Sequence, residues 1–148
     1  MEKCDVATTN IHGAFLQTDM EGTVRVRLDG VITEMLLNID PENYRDKVVI
    51  GRGKKSIYMV LKHTLCGALI SSLLFWRDLV SKLKSWGLQS NPYDPSVTNK
   101  VVDGKSCTVC WYGDHLKISH VQSKVIKNFF RHLEEHYSKV TPMKNNMG

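Results

Sequence analysis

The segment from residue 106 to residue 119, SCTVCWYGDHLKIS, holds two short stretches rich in β-branched and aromatic residues, separated by Gly113 and Asp114. Such stretches favour strands, and a Gly-Asp pair between them is typical of a tight turn. The segment therefore predicts an antiparallel hairpin. Asp114 by itself is a typical turn former, although a metal-binding or acid–base role beside His115 stays open.

Helical patterns flank the hairpin on both sides. Upstream, residues 64–86 predict a helix that ends before Gly87, and downstream, residues 122–137 predict another. The upstream pattern has its apolar side chains at helical spacing, namely Leu65, Leu69, Leu73, Trp76, Val80 and Leu83. The downstream pattern combines an apolar face of Val125, Phe129, Phe130 and Leu133 with a basic face of Lys124, Lys127 and Arg131.

Shorter strands are predicted in the first half of the chain, over residues 4–11, 23–28, 47–53 and 57–61. In the first of these, Val6, Thr8 and Asn10 share one face because side chains alternate along a strand. Residues 35–39 form a short apolar run that Pro41 stops. Strands interspersed with two substantial helices predict an α+β fold.

Composition is that of an ordinary soluble globular domain. The chain has 148 residues, which suits one domain, and its 20 Lys and Arg against 15 Asp and Glu give a formal charge of +5. This charge permits nucleic-acid binding without requiring it. The chain begins with no recognisable signal peptide, and its longest uncharged apolar run, residues 64–76, is too short to span a bilayer. We therefore expect a cytoplasmic or nuclear protein, not secreted, with reduced cysteines and no membrane partner.

Two further motifs carry competing interpretations. Cys107, Cys110, His115 and His120 have zinc-knuckle spacing and a ligand set that Zn²⁺ accepts, whereas the same segment also fits a strand with buried side chains. Residues 51–55, GRGKK, could contact phosphate. They lack the Ser or Thr of a phosphate-binding loop, so a solvated basic hairpin turn is the favoured interpretation.

Four ordered segments resemble the reverse transcriptases of copia-type retrotransposons. Residues 10–30, NIHGAFLQTDMEGTVRVRLDG, resemble the family's first palm motif, and residues 111–119, WYGDHLKIS, resemble its second, an aromatic-Val-Asp-Asp hairpin. Between them, residues 62–76, KHTLCGALISSLLFW, and residues 90–97, SNPYDPSV, resemble the segment that opens the long helix and the Asp-Pro loop before the hairpin. The resemblance covers roughly residues 3–140.

The resemblance implies an RNA-directed DNA polymerase that uses two Mg²⁺ ions held by three Asp residues. It places those three positions on Asn10, Asp114 and His115, so only Asp114 remains a carboxylate. Asn10 offers a neutral oxygen, and His115 prefers borderline metals to Mg²⁺. Asp5 cannot replace Asn10, because an odd offset along a strand points to the opposite face.

Other positions follow from the resemblance. Phe15 matches the aromatic gate against a ribose 2′-hydroxyl, though a core Phe beside a strand end fits equally. Ile70 stands where the family has a Gln near the incoming nucleotide. The family's partners would be an RNA or DNA template-primer, a dNTP and other polyprotein segments.

By the family's pattern, residues 1–148 would be a palm-like antiparallel sheet backed by helices, with incomplete fingers and no thumb or RNase H. We therefore expect an inactive copy of this polymerase palm. Two alternatives remain. One is a non-catalytic basic module that binds nucleic acid or protein through Lys124, Lys127, Arg131 and residues 52–55. The other is a small zinc protein.

Overall fold

The structure, a computed structural model, describes residues 4–137 and the backbone of residues 144–145. Contacts divide this part of the chain into two compact units. The larger unit comprises the described residues of Met1–Thr18 and Thr64–Gly148, and the smaller unit is Asp19–His63. Length and composition predict one domain, whereas the contacts set residues 19–63 apart as a second unit. Each unit combines antiparallel strands with helix, which confirms the α+β class.

The helices are α1 (Val31–Ile39), α2 (Pro41–Tyr44), α3 (Leu69–Ser85) and α4 (Ser123–His136), with short 3-10 turns at Ala14–Gln17 and Arg45–Lys47. The strands are β1 (Asp5–Asn10), β2 (Arg25–Asp29), β3 (Val48–Gly51), β4 (Lys54–Val60), β5 (Gln89–Ser90), β6 (Val97–Val102), β7 (Lys105–Tyr112), β8 (His115–His120) and β9 (Lys144–Asn145). Among the described residues, no helix is both long and apolar enough to cross a membrane.

The larger unit is built on an antiparallel sheet with the strand order β5-β6-β7-β8-β1-β9. Strands β6, β7 and β8 follow one another in the chain, so tight turns suffice to pair them. Strand β1 comes from the start of the chain, yet it pairs with β8 along its whole length, from Asp5 opposite His120 to Asn10 opposite His115. This non-local pairing brings the end of β1 beside the β7–β8 turn.

One face of this sheet forms the core together with α3 and α4. Side chains alternate along the strands, so every second residue of β7 and β8 is buried. The buried strand residues are Ala7, Thr9, Cys107, Val109, Trp111, Leu116, Ile118 and His120, and those of the helices include Phe75, Leu79, Leu83, Ile126, Phe129, Phe130 and Leu133. The opposite face of the sheet carries side chains that are half-buried or exposed, among them Thr8, Asn10, Cys110, Tyr112, His115 and Lys117.

The smaller unit is a three-stranded antiparallel sheet in the order β2-β4-β3, with α1 against β2 and β4. Ile57 and Thr33 are fully buried in it, and the Thr33 hydroxyl donates to the carbonyl of Leu28 at 2.7 Å. The β3–β4 turn is formed by Arg52 and Gly53, both with positive φ, 50° and 75°. Positive φ at both central residues is the geometry of a tight hairpin turn. The prediction of an exposed basic turn at residues 51–55 is thus confirmed.

Most of the predicted elements are confirmed within a few residues, including the hairpin, the first strand and the helix over residues 122–137. The helix predicted over residues 64–86 is wrong at its start, because it begins only at Leu69. Gly67 has φ of 90° and Ala68 is extended, and neither conformation can extend the helix toward its N-terminus. The short apolar run at residues 35–39 is the second half of α1.

The predicted apolar stripe of α3 is also partly wrong. Leu65, Leu69 and Leu73 are exposed, with Leu69 fully so, whereas Leu74 and Leu79 are buried. The buried set of the helix is displaced from the predicted one, although Val80 and Leu83 belong to both.

Candidate functional site

The positions of Asn10, Asp114 and His115 lie together at one end of the large sheet. Asn10 is directly opposite His115 in the β1–β8 register. The next residue of β1, Ile11, donates its backbone N–H to the carbonyl oxygen of Asp114 at 3.0 Å. The hydrogen-bond ladder thus continues into the turn. It makes neighbours of three positions, of which Asn10 and His115 are 105 residues apart in the chain.

The β7–β8 turn is what presents Asp114 at this end. Tyr112 pairs with His115, so Gly113 and Asp114 alone connect the strands. Gly113 has φ of 58°, a conformation that side chains other than Gly, Asn and Asp rarely adopt. The Asp114 carboxylate Oδ1 lies 3.7 Å from Nε2 of His115, and the two side chains are 38% and 69% exposed respectively. Water therefore screens the attraction between the two groups, and the contact holds neither side chain rigidly.

The donor atoms of this cluster are one carboxylate, one amide and one imidazole. Mg²⁺ prefers several hard oxygen ligands, usually with carboxylates among them, and here Asp114 alone is anionic. Asp5 gives no help, since it pairs with His120 at the other end of β1 and accepts a hydrogen bond from the Ser123 hydroxyl. Within the described residues, no three His, Cys, Asp or Glu side chains are arranged to hold a metal ion. The three side chains are therefore a poor match for Mg²⁺.

A concave surface that encloses a volume of about 650 Å³ lies on the open face of the sheet, directly beside this cluster. Asn10 and His115 line it together with residues from β1, β7 and β8 that point the same way, among them Thr8, Cys110, Tyr112 and Lys117. Tyr112 is 89% exposed, so its ring offers a flat apolar surface to a ligand. The lining also includes Trp111 and one carboxylate, Asp94, so the surface combines aromatic and small polar groups with one cation, Lys117, and one anion.

Phe15 and Ile70 differ in their relation to the cluster. Phe15 packs edge-on against Phe75, with ring centroids 5.8 Å apart, and lines a hollow of about 160 Å³ together with Tyr112 and Gly113 of the turn region. Its position fits both of its interpretations, a core aromatic and a residue near the turn. Ile70 is 40% exposed in the first turn of α3 and lines neither hollow.

The four residues with zinc-knuckle spacing do not converge. An odd offset of three separates Cys107 from Cys110, and one of five separates His115 from His120, so each pair is split between the two faces of the sheet. Cys107 and His120 are buried on the core face, while His115 is exposed on the other. Burial raises the pKa of the Cys107 thiol, and the positive charge of Lys100 partly offsets that rise. Strand geometry therefore excludes a knuckle formed by all four.

The basic residues of the alternative interpretation belong to different units. Lys124, Lys127 and Arg131 are exposed on α4 in the larger unit, and Arg131 lies 3.9 Å from Glu135. The Arg52–Lys55 turn lies in the smaller unit. The basic face predicted for the last helix is confirmed on α4.

Sequence reasoning missed a polar cluster between α3 and α4. The Tyr137 hydroxyl donates to Oδ2 of Asp78 at 2.7 Å, and Nε2 of His136 lies 3.2 Å from the same oxygen. Burial raises the pKa of Tyr137, and its hydrogen bond to Asp78 raises it further. The signal in the sequence was the His132-Leu-Glu-Glu-His136 pattern, whose two His side chains share one helix face.

Comparison with known proteins gives no family for the chain. A scan against protein-family models finds no match, and a search of curated proteins finds no significant match.

Proposed function

We propose that this chain is a degenerate polymerase palm of the copia-type reverse transcriptase kind, which no longer catalyses nucleotidyl transfer. One observation carries the proposal. The β1–β8 register sets Asn10 opposite His115, with Asp114 in the adjoining turn. These are the positions at which the resemblance requires the three metal-binding carboxylates to meet.

The architecture around the cluster supports the same proposal. A palm of this kind needs its first-motif strand beside the hairpin that carries the Asp pair, and β1 pairs with β8. It also needs helices on one face of the sheet and an open face for the nucleic acid. Here α3 and α4 share the core face, and the 650 Å³ concave surface lies on the other.

Loss of activity follows from the donor atoms. Two-metal nucleotidyl transfer relies on anionic oxygen ligands that hold two divalent ions close together. Replacing two of three carboxylates with Asn10 and His115 removes about two of three negative charges before any ion binds. The attraction that offsets the mutual repulsion of two dications is then largely gone. Lys117, on the same face of β8, adds an unfavourable charge, and Asp94, which lines the same concave surface, supplies one opposing negative charge.

Primer extension tests the proposed inactivity. The full chain is assayed on RNA and DNA templates with Mg²⁺ and, separately, with Mn²⁺, beside an Asp114→Ala variant. We expect both proteins to give the same background signal. Metal-dependent extension by the wild-type chain above that of Asp114→Ala would overturn the proposal of an inactive site.

The second candidate is a non-catalytic module that binds nucleic acid through α4. The exposed row of Lys124, Lys127 and Arg131 favours it, because neutralising phosphates with such side chains gives salt-dependent binding.

An anisotropy titration with a single-stranded oligonucleotide over a salt series tests this candidate. Replacing the three α4 cations with Gln should reduce the slope of log K against log salt by about 2, at roughly 0.7 for each phosphate contact on a single strand. The matched control replaces Arg52, Lys54 and Lys55 with Gln, which removes the same charge from the smaller unit. An equal loss from both triple variants would show non-specific attraction and count against an α4 site.

A further inference from the structure

Asp78 of α3 and His136 of α4 meet where the two helices pack together, and neither belongs to the cluster at Asp114. Oδ2 of Asp78 lies 3.2 Å from Nε2 of His136, and the two side chains are 30% and 29% exposed. Tyr137, 1% exposed, donates to the same Oδ2 at 2.7 Å, and its ring centroid is 4.5 Å from that of His136. A buried phenol thus fixes the position of a carboxylate that contacts an accessible imidazole.

The spacing of these two atoms fits two ligands of one metal ion. Bonds of about 2.0–2.2 Å to His nitrogen and Asp oxygen, set at a tetrahedral angle, place the ligand atoms about 3.3 Å apart. The 3.2 Å separation of Asp78 Oδ2 and His136 Nε2 matches that value. The same distance also fits a hydrogen bond between the pair, and the experiment below distinguishes the two.

His132 supplies a third nitrogen on the same side of α4. It precedes His136 by one helical turn, and residues at this spacing are surface neighbours with Cβ atoms about 6 Å apart. Two His residues four apart on one helix face are a recurrent zinc-binding arrangement. The His132 ring stacks on Trp86, which follows α3, at 5.4 Å and 26°, while His136 contacts Asp78 of α3. Both rings therefore lie on the side of α4 that faces α3.

We propose that Asp78, His132 and His136 bind one divalent transition-metal ion of the Zn²⁺ class, clasping the end of α4 to α3. Nitrogen and carboxylate ligands select such borderline ions over Mg²⁺. Binding requires the His132 ring to turn away from Trp86, since the described side chains, as positioned, contain no group of three ligands. Both His residues lie toward the carboxyl end of α4, where the helix dipole favours a cation.

The surrounding charges are mixed. Glu134 and Glu135 add negative charge to the last turns of α4, and Arg131 lies 3.9 Å from Glu135. Lys82, one turn beyond Asp78 on α3, opposes a cation. A modest affinity follows, which a Lys82→Gln change should increase. The site is separate from the cluster of Asn10, Asp114 and His115, and metal binding there implies no reaction.

Zinc titration of the full chain tests the proposal by calorimetry and by NMR of the imidazole nitrogens. We expect zinc to shift the ring resonances of His132 and His136. We also expect His132→Gln, His136→Gln and Asp78→Asn each to weaken binding by at least about 10-fold, the scale of effect that changes in a metal's surroundings usually have. The control is His12→Gln, an exposed His outside α4, which should bind as the wild type does.

The decisive variant is His132→Gln, because His132 is exposed and its loss should leave the fold intact. Unchanged affinity in this variant would overturn the three-ligand site. Unshifted ring resonances of His136 would mean that Asp78 and His136 form only a hydrogen-bonded pair, with zinc bound elsewhere, for example at the exposed Cys4 or Cys66.

Discussion

Placing carboxylates at the two positions where the proposed palm would have them should make the stability of the protein depend on divalent ions. The change is Asn10→Asp with His115→Asp. The two positions are directly opposite on one sheet face, where Cβ atoms lie about 5 Å apart. Two carboxylates at that distance repel by about 1 kcal/mol in water and about 3 kcal/mol at an effective dielectric constant of 20. Asp114 in the adjoining turn adds to the repulsion.

Without divalent ions, the double variant should therefore be less stable than the wild-type chain by roughly 1–3 kcal/mol. An ion bound with a Kd of about 1 mM and present at about 10 mM returns roughly 1.4 kcal/mol, which corresponds to a rise of about 3–6 °C in Tm for a chain of this size. Thermal unfolding in EDTA, Mg²⁺ and Mn²⁺ measures both quantities. The wild-type chain should show no comparable shift.

The matched control is Val6→Asp with Ser119→Asp. This pair is also directly opposite on the same face of β1 and β8, four residues from the cluster, and adds the same charge. It lacks a third carboxylate of the Asp114 kind beside it, so its Tm should respond little to divalent ions. An equal response in both double variants, or no response in either, would mean that the three positions do not form a metal site.

Two further predictions concern the core of the larger unit. Leu133→Ala should lower the free energy of unfolding by about 2–5 kcal/mol, because Leu133 is fully buried, while Leu69→Ala should change it by less than about 0.5 kcal/mol, because Leu69 is fully exposed. Urea denaturation measures both, and similar losses would contradict the position of the core. Cys107 should react with iodoacetamide at pH 8 more slowly than Cys4 and Cys66, since burial and the raised pKa keep its thiol protonated and shielded while the other two are exposed. Mass spectrometry of the modified sites checks this, and labelling of Cys107 as fast as of Cys4 in the folded protein would contradict it.

Elements set by local signals could be predicted from the sequence. The β7–β8 hairpin follows from two strand-forming stretches around Gly113, and α4 follows from a regular apolar face. The start of α3 could not be predicted in this way. The periodic leucines extend upstream of α3 to Leu65. The helix nevertheless cannot extend that far, because Gly67 has a positive φ, and hydrophobic spacing carries no information about that φ.

The candidate site depends on a contact that periodicity does not reveal. Asn10 and His115 are 105 residues apart in sequence, and only the β1–β8 pairing makes them neighbours. The resemblance selected Asn10, Asp114 and His115 as candidate positions, while their register came from the structure. The zinc-knuckle interpretation fails for a related reason. Ligand spacing along the chain does not show which side chains share a face of the sheet until the strands are located.

Manganese relaxation in the Asn10→Asp, His115→Asp variant tests whether Asn10, Asp114 and His115 stand at the positions of one former metal site. Mn²⁺ broadens amide resonances near the ion that it binds, so ¹H–¹⁵N spectra locate the site. We expect strong broadening centred on Ile11, Asp114 and Leu116 in the variant, and none there in the wild-type chain. Broadening centred elsewhere in the variant, or the same broadening in the wild-type chain, would contradict it.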